Sequence, residues 1–415
     1  MTPGLPCTRQ EYRWPRTVYV GSFPPRECGI ATFTRDLVTA VDRLNHPAPG
    51  HVVAMNDPGR RYEYPTSVKW QIERDDPRSY DEAASFVNDS RYEMVNVQHE
   101  YGLFGGRQGD FLFRFLDRLT KPVVLTMHTT LPEPDGSLRD VTRALIDRSD
   151  KVIVLARSAI DILARDYGVG SNKLQFVPHG VPNVRPVSSQ AAKRRLGLGQ
   201  RPVLATCGLM NPGKGIEYAL EALAMLVDEF PDLLYLVVGQ THPGIRAQQG
   251  ESYREQLEAQ VRRLGLEQNV VFENRYLAYR ELVLHLLASD IYVVPYLNLN
   301  QIVSGTLAYA VGCGRAVVST PSVYAREVLA DGRGLLAEAR NPQSLAAGIG
   351  ALLRNPDDKF QLQARAYAYG HEMIWPNVAR GYLETFRGAC EDRAQRIVQP
   401  LDHAVQGLLV EALSA

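Results

Sequence analysis

The sequence has few cysteines, no excess charge of either sign and no long apolar run, and each absence excludes a class of protein. The five cysteines are odd in number, and no pair has metal-ligand spacing, so we expect reduced thiols as in a cytosolic protein; they are Cys7, Cys28, Cys207, Cys313 and Cys390. The 46 basic and 46 acidic residues balance. Neither nucleic acid nor an anionic membrane is therefore a favoured partner.

Membrane insertion and secretion are also disfavoured by what is missing. No apolar run approaches the roughly 18–20 residues of a membrane span. The opening residues, "MTPGLPCTRQEYRWPR", lack the apolar core of a signal peptide. We therefore expect a cytoplasmic protein.

Short runs rich in Val, Ile and Leu alternate with amphipathic segments along most of the chain. This pattern is typical of parallel sheets covered by helices on both faces. The runs before the middle of the chain are "TVYVGS", "HVVAMN", "MVNVQH", "PVVLTMH", "KVIVLA" and "LQFVPHG"; those after it are "PVLATCG", "LLYLVVG", "NVVFEN", "IYVVPY", "AVVST" and "GLLAE". The sequence therefore predicts an α/β fold with two Rossmann-like, doubly wound domains facing a ligand cleft.

The domain boundaries follow from one segment in which apolar runs no longer alternate with amphipathic segments. The segment "VPNVRPVSSQAAKRRLGLGQRP" is polar and rich in Pro, which indicates a linker with one short helix. We expect a first domain over 1–188, a second over 189–375, and C-terminal helices over 376–415. A 415-residue chain is long enough for two such cores.

Polar residues follow several predicted strands of the first half. Gly29 lies where a strand-to-helix turn would let backbone approach an anion, although such turns often need glycine for steric reasons alone. His99 and Glu100 end one strand and His128 ends the next, so recognition or proton transfer is somewhat favoured over simple helix capping. His179 has the weaker claim, because a turn residue needs no chemistry.

The second half carries an incomplete phosphate loop. "GLMNPGKG" approaches a Walker A loop but has Gly215 where the magnesium-binding Ser or Thr is required, so an NTPase is disfavoured. A lysine before a helix, Lys214, still suits a phosphate or diphosphate. His242, in "GQTHP", could face the same cleft, and a plain turn is about as probable.

The segment "NQIVSGTLAYA" also predicts a helix N-terminus at a binding site. Ser304, Gly305 and Thr306 provide a capping hydroxyl, close approach and backbone donors. Ordinary capping of a buried helix would not explain the polar, uncharged loop before it. Where a catalytic carboxylate would be sought, this segment has only neutral side chains, among them Gln301 and Tyr309.

Taken in order, these segments resemble the retaining nucleotide-sugar glycosyltransferases of family 4, which have the GT-B fold. The resemblance covers residues from about 17 to about 390 and rests on "PPRECGIATF", "VPHGV", "KGIEYALEAL", "VVFENRYL", "SDIYVVPY" and "GTLAYAVGCGRAVVST". It implies an acceptor-binding first domain, a donor-binding second domain and a C-terminal helix that crosses back to the first.

The resemblance also implies roles for single residues. Gly29 would lie beside the donor diphosphate, His128 would face the transferred sugar, and Lys214 would hold the diphosphate. Two glutamates of the family fall here on Gln301 and Tyr309, and a common arginine falls on Leu209. The sequence thus resembles a subgroup in which the acidic pair is replaced.

The expected activity is metal-independent, retaining transfer of a hexosyl group from a nucleotide-diphosphate sugar to a carbohydrate or related hydroxyl acceptor, with no cofactor. The expected catalytic residues are His128, Lys214 and Gln301. Donor contacts are expected from Gly29, Lys214, His242, Gln301, Ser304, Gly305, Thr306 and Tyr309, and acceptor contacts from His99 and Glu100. The alternatives are a phosphorylase of the same fold that uses a sugar-1-phosphate, and a sugar- or nucleotide-binding regulator that has lost catalysis.

Overall fold

A computed structural model describes residues 13–46, 48–185 and 188–414 of the chain. The described residues form two parallel sheets, each covered by helices, as the alternating pattern predicts. Cys7 and the linker residues Pro186 and Val187 lie outside the described residues. The four cysteines that are described are all free thiols, as expected.

The first sheet has seven strands in the order β3-β2-β1-β4-β5-β6-β7. Its strands are β1 (Thr17–Gly21), β2 (His51–Asn56), β3 (Val68–Glu73), β4 (Met94–His99), β5 (Val123–Met127), β6 (Lys151–Val154) and β7 (Leu174–Phe176). Its helices are α1 (Gly29–Leu44), α2 (Pro77–Asp89), α3 (Leu112–Arg118), α4 (Gly136–Asp147) and α5 (Ser158–Tyr167). Six of these strands were predicted, and β3 is an addition.

The second sheet has six strands, all of them predicted, in the order β10-β9-β8-β11-β12-β13. They are β8 (Val203–Cys207), β9 (Leu234–Val238), β10 (Val270–Glu273), β11 (Ile291–Val294), β12 (Ala316–Ser319) and β13 (Leu335–Leu336). The helices are α6 (Ser189–Leu196), α7 (Ile216–Ala224), α8 (Pro243–Gln249), α9 (Ser252–Arg263), α10 (Tyr279–Ala288), α11 (Gly305–Gly312), α12 (Val323–Val328), α13 (Pro342–Arg354), α14 (Pro356–Glu372) and α15 (Trp375–Ser414).

Strand order reverses beside β1 in the first sheet and beside β8 in the second. Val20 pairs with Val53 of β2 on one side and with Val97 of β4 on the other, all in parallel. Crevices at the carboxyl ends of strands at such a reversal are the usual ligand sites of doubly wound sheets. The loops after β1, β4, β8 and β11 are therefore expected to border the ligand site.

Local chemistry sets where the helices begin and end. Helix α5 stops at Gly168, which has φ +66 in the left-handed region that favours glycine. The Cys28 thiol caps α1 by accepting a hydrogen bond from the backbone N–H of Ala31. The Ser304 hydroxyl likewise caps α11 by accepting a hydrogen bond from the backbone N–H of Leu307. Because α1 follows β1 and α11 follows β11, both helices begin at the carboxyl edge of their sheet.

The last helix, α15, completes the core of the first half. Trp375, Val378, Tyr382 and Phe386 of α15 are buried in one apolar cluster with residues of β1 and α1, among them Tyr19. This is the crossover that the family resemblance implies.

The chain therefore crosses between the halves twice, and the two crossings are bonded to each other. The Val181 N–H donates to the Met373 carbonyl at 2.9 Å, and the Trp375 N–H donates to the Val181 carbonyl at 3.3 Å. A Cβ on Gly180 would lie 2.4 Å from the Trp375 ring, so only glycine fits there.

Candidate functional site

A cavity of about 920 Å³ lies between the carboxyl edges of the two sheets. This volume is within the range of small-molecule sites and is large enough for a nucleotide sugar. Ten of the eleven residues predicted for the site line it: Gly29, Glu100, His128, Lys214, His242, Gln301, Ser304, Gly305, Thr306 and Tyr309. His99 is not among the lining residues.

His128 is held in one tautomer by a buried chain of amides. The Asn96 Nδ2 donates to the Val124 carbonyl at 3.0 Å, which can only accept, so the Asn96 Oδ1 is an acceptor. The Gln98 Nε2 donates to that oxygen at 2.5 Å, leaving the Gln98 Oε1 to accept. The His128 Nε2, 2.8 Å from Gln98 Oε1, therefore carries a hydrogen. The neutral ring keeps its lone pair on Nδ1.

His179 is a second neutral histidine at the same edge. Its Nδ1 donates to the Gly180 carbonyl at 2.8 Å, so its lone pair is on Nε2. The Phe33 ring contacts both imidazoles edge-on, at centroid distances of 4.8 Å to His128 and 5.0 Å to His179. His179 also lines the cavity, which its weaker sequence pattern did not indicate.

Burial keeps both rings uncharged. Desolvation lowers the pKa of His128 to about 3, with smaller contributions from His179 and His99. Desolvation likewise lowers the pKa of His179 to about 4. At neutral pH the first half thus offers imidazole acceptors to the cavity and no imidazolium charge.

Lys214 lies in a short 3-10 turn, Pro212–Lys214, just before α7. Gly215 has φ +60, and a Cβ there would lie 2.2 Å from the Pro295 carbonyl, so the turn requires glycine. The Lys214 Nζ is 3.8 Å from the centroid of the Tyr296 ring. Within the described part of the chain, no carboxylate pairs with Lys214, so its charge is available to an anion.

The N-terminus of α11 faces the same space. The Tyr296 hydroxyl is 3.1 Å from Thr306 Oγ1, which links this helix to the lysine turn. A Cβ on Gly305 would lie 3.1 Å from His179 Nε2, so glycine lets the helix start close to the histidine. The backbone N–H groups of a first helical turn have no intrahelical acceptor and favour negative charge.

The two residues at the positions of the family's glutamates differ in accessibility. Gln301 donates through Nε2 to the Val303 carbonyl at 2.9 Å, which leaves its Oε1 as an acceptor. Tyr309 is buried, and its hydroxyl donates to Asp36 Oδ2 of α1 at 3.2 Å. Burial is also the main reason that the pKa of Tyr309 lies well above its usual value. The Tyr309 hydroxyl is thus already used in a contact between the domains.

The two predicted acceptor contacts are separated by the structure. Glu100 lies in the cavity, where it accepts hydrogen bonds from the Thr129 hydroxyl at 2.5 Å and the Tyr101 N–H at 3.1 Å. Burial raises the pKa of Glu100. His99 is fully buried among Tyr101 and Phe104, and both ring nitrogens lack a partner in the described structure. His99 is the last residue of β4, whereas Glu100 lies in the loop that follows the strand.

No group of three or more His, Cys, Asp and Glu side chains within the described ranges is arranged to hold a metal ion. No helix in the part of the chain covered by the structure is long and apolar enough to cross a membrane.

Comparison with known proteins agrees with this architecture. Residues 28–185 match the model of Glycosyltransferase Family 4, and residues 201–355 match that of Glycosyl transferases group 1. The chain is a family 4 glycosyltransferase. The two matched segments include six of the seven strands of the first sheet, all but β1, and all six strands of the second.

Individual relatives of this glycosyltransferase are distant. A D-inositol 3-phosphate glycosyltransferase of Xylanimonas cellulosilytica is 28% identical over 329 residues, which are 72% of this chain and 74% of the relative. A GDP-mannose-dependent alpha-(1-6)-phosphatidylinositol monomannoside mannosyltransferase of Mycolicibacterium smegmatis is 27% identical over 52% of this chain and 56% of its own length.

Solved structures show the GT-B fold. Sucrose-phosphate synthase from Thermosynechococcus elongatus matches with a TM-score of 0.73 and 18% identity, over 90% of this chain and 98% of that one. HepE of Anabaena, in complex with UDP, matches with a TM-score of 0.70 and 15% identity, over 90% of this chain and 100% of that one.

The structure also adds cavity residues that the sequence of this glycosyltransferase did not single out. Arg26, Tyr276, Tyr279 and Tyr296 all line the cavity. Of these four residues, only Arg26 had a recognisable signal, because it is a basic residue three positions before the first residue of α1, Gly29, in an anion-favouring loop. Tyr276 and Tyr296 lie in two segments that carry the family resemblance, "VVFENRYL" and "SDIYVVPY", but no pattern there indicates a role for these tyrosines.

Proposed function

We propose that this glycosyltransferase moves a hexosyl group, with retention at the anomeric carbon, from a nucleoside-diphosphate sugar to a hydroxyl of a carbohydrate acceptor. The observation that carries the proposal is the pairing of opposite chemistries across one cavity. Lys214 and the α11 N-terminus suit a diphosphate, and the neutral His128 and Glu100 suit the hydroxyl groups of sugars.

The proposed step needs charge stabilisation at the leaving group more than it needs a protein base. The bond from the anomeric carbon to the diphosphate oxygen breaks, and a bond to the acceptor oxygen forms on the same face of the sugar. The acceptor proton passes to the leaving phosphate oxygen. Lys214 and the first-turn N–H groups of α11 stabilise the charge that develops there.

Gln301 and His128 are proposed to hold the transferred sugar. The Gln301 Oε1 and the His128 Nδ1 are both acceptors, because hydrogen bonds fix the opposite atoms of these side chains as donors. Two acceptors placed this way can orient two sugar hydroxyls without adding negative charge near the diphosphate. We propose that no metal ion is required, since Lys214 and the helix supply the positive potential.

A donor panel crossed with simple acceptors tests the proposal. UDP-, GDP- and ADP-hexoses would be incubated with monosaccharides, inositol and inositol phosphate, and the products read by mass spectrometry with and without EDTA. We expect a product mass increased by one hexosyl unit, unaffected by EDTA, with the anomeric configuration of the donor by NMR. Inverted configuration would overturn the retaining mechanism.

A phosphorylase is the second candidate, and one observation favours it. The Tyr309 hydroxyl is bonded to Asp36 and is therefore not free for a ribose diol. A thermal-shift series with UDP, GDP, ADP and inorganic phosphate separates the two functions. Stabilisation by phosphate alone would favour the phosphorylase, and stabilisation by a nucleoside diphosphate would favour the transferase.

A further inference from the structure

The loop after β1 reaches across the cavity to the second half. Glu27, in this loop, accepts a hydrogen bond from the Gln240 Nε2 at 2.6 Å. The adjacent Arg26 lines the same cavity as Lys214 and His242. Arg26 of the first half therefore lines the same cavity as the second-half loops over 208–215 and 239–242.

Those second-half loops are themselves joined. The Met210 N–H donates to the Gln240 carbonyl at 2.9 Å, and the His242 N–H donates to the Met210 carbonyl at 2.8 Å. Together the loops over 208–215 and 239–242 contain one lysine, Lys214, and no arginine. A diphosphate carries more negative charge than one lysine balances.

Arg26 is oriented but not saturated. Its Nε and Nη2 donate to the two carboxylate oxygens of Asp57, both at 2.8 Å. Among the described residues, the one further hydrogen bond of this side chain is a long one, 3.5 Å from Nη1 to the Cys28 thiol that caps α1. Since a guanidinium has five N–H groups, donors remain beside the α1 N-terminus for an oxyanion.

His242 lines the same cavity as Arg26 and Lys214. Its pKa is lowered by burial first, then by the charges of Arg26 and Lys214. The His242 Nδ1 accepts from the Gly244 N–H at 3.1 Å, so the neutral ring carries its hydrogen on Nε2. A neutral donor thus lies within the fields of two cations from opposite halves.

We propose that Arg26 completes the diphosphate site from the first domain, so that the leaving diphosphate is held between Arg26 and Lys214. This inference rests on the proposed function. Its consequence is that the donor bridges the two domains, because an anion between two cations removes their mutual repulsion. Leu209, which lies in the same cavity, supplies no charge from the second half.

Calorimetric titration of the full chain with UDP, UMP, GDP and GMP tests the inference. We expect Arg26→Met to weaken binding of the favoured diphosphate by roughly 10- to 100-fold and to lower the affinity ratio of diphosphate to monophosphate. Arg275→Met is the matched control. Arg275 also lines the cavity and is also paired with carboxylates, those of Glu273 and Glu281, and this change is expected to alter affinity by less than about threefold.

Two further variants keep the result interpretable. Arg26→Met leaves the Asp57 carboxylate with the Tyr62 hydroxyl but without its ion-pair partner, so Arg26→Met/Asp57→Asn carries the same test if the single change lowers the melting temperature. Adding Leu209→Arg to Arg26→Met is expected to restore at least part of the lost affinity.

The outcomes distinguish the inference from the function. A chain that binds UDP or GDP equally well with and without Arg26 would overturn the inference and leave the proposed transfer intact. An unaltered chain that binds neither UDP nor GDP, and that ADP does not stabilise in the thermal-shift series, would overturn both.

Discussion

The two halves have the same strand order at their centres and opposite chemistry at their carboxyl edges. The first sheet presents buried, neutral imidazoles whose second nitrogens can accept hydrogen bonds, His128 and His179, beside the carboxylate of Glu100. The second presents Lys214 and a helix N-terminus. One edge mainly accepts hydrogen bonds and the other mainly donates them. A doubly wound sheet thus fixes where a site lies, and the loop residues decide which ligand it takes.

The sharpest way to break this contrast is to remove the cation of the second half. Lys214→Ala is expected to reduce kcat by roughly 100- to 1000-fold, because it removes a preorganised positive charge from the leaving group. Product formation from the preferred donor measures the effect. Lys214→Arg, which keeps the charge, is the control and should retain more activity. Unchanged turnover without Lys214 would contradict its role, and the absence of turnover in the unaltered chain would favour a binding regulator.

The neutrality of the first half is tested through His128. His128→Leu is expected to lower kcat/KM by roughly 10- to 100-fold, because it removes an acceptor from a desolvated sugar hydroxyl. In the unaltered chain the pH profile of kcat/KM should lack an inflection near 6.5, since the pKa of His128 is about 3.

Gln98→Met is a useful companion, because it removes the acceptor that fixes the His128 tautomer and leaves the imidazole in place. Its effect should be the smaller of the two, and the ¹⁵N shifts of the ring should change. An inflection near 6.5 that disappears in His128→Leu would show that the ring titrates.

The buried His99 of the first half is expected to make the free energy of unfolding depend on pH. Burial lowers its pKa to about 4 in the folded chain, against about 6.5 when unfolded. Below pH 6.5 the unfolded chain binds the proton that the folded ring excludes, so the free energy of unfolding falls as the pH drops towards 4. His99→Phe should reduce that fall by about 1.5 kcal/mol between pH 6.5 and 5. Urea unfolding at the two pH values measures this fall. An equal fall in the unaltered chain and in His99→Phe would mean that a bound water or a partner group contacts the His99 ring.

Tyr309 gives the smallest expected effect. Tyr309→Phe removes the hydrogen bond to Asp36 and keeps the ring that packs between His179 and Tyr279. Stability should fall by about 1 kcal/mol or less, and affinity for UDP or GDP should change by less than about threefold. A larger loss of nucleotide affinity would mean that the hydroxyl leaves Asp36 to bind the donor.

The sequence was sufficient for the architecture because buried parallel strands are nearly continuous apolar runs. It missed β3, whose alternating residues Val68, Trp70 and Ile72 are interrupted by Lys69 and Gln71 at a half-exposed edge of the sheet. Edge strands lack the strong apolar signal of central strands.

The cavity was predictable where one loop carries its own chemistry, as at Lys214 and at Ser304. It was not predictable where distant segments supply the partners. Nothing near Tyr309 indicates that Asp36, from the other half, would bond its hydroxyl, and nothing near His128 indicates the Asn96 and Gln98 chain. The side to which His99 points depends on strand register, which a single sequence leaves open.

The burial of α15 against the first half also governs the order in which the chain can fold. During synthesis the first sheet emerges well before Tyr382 and Phe386, so the apolar surface around Tyr19 stays uncovered until α15 has been made. A fragment that stops in the linker should therefore aggregate, and a separately expressed second fragment that includes α15 should rescue its solubility. The first half thus acquires a finished core only after the second half has been synthesised.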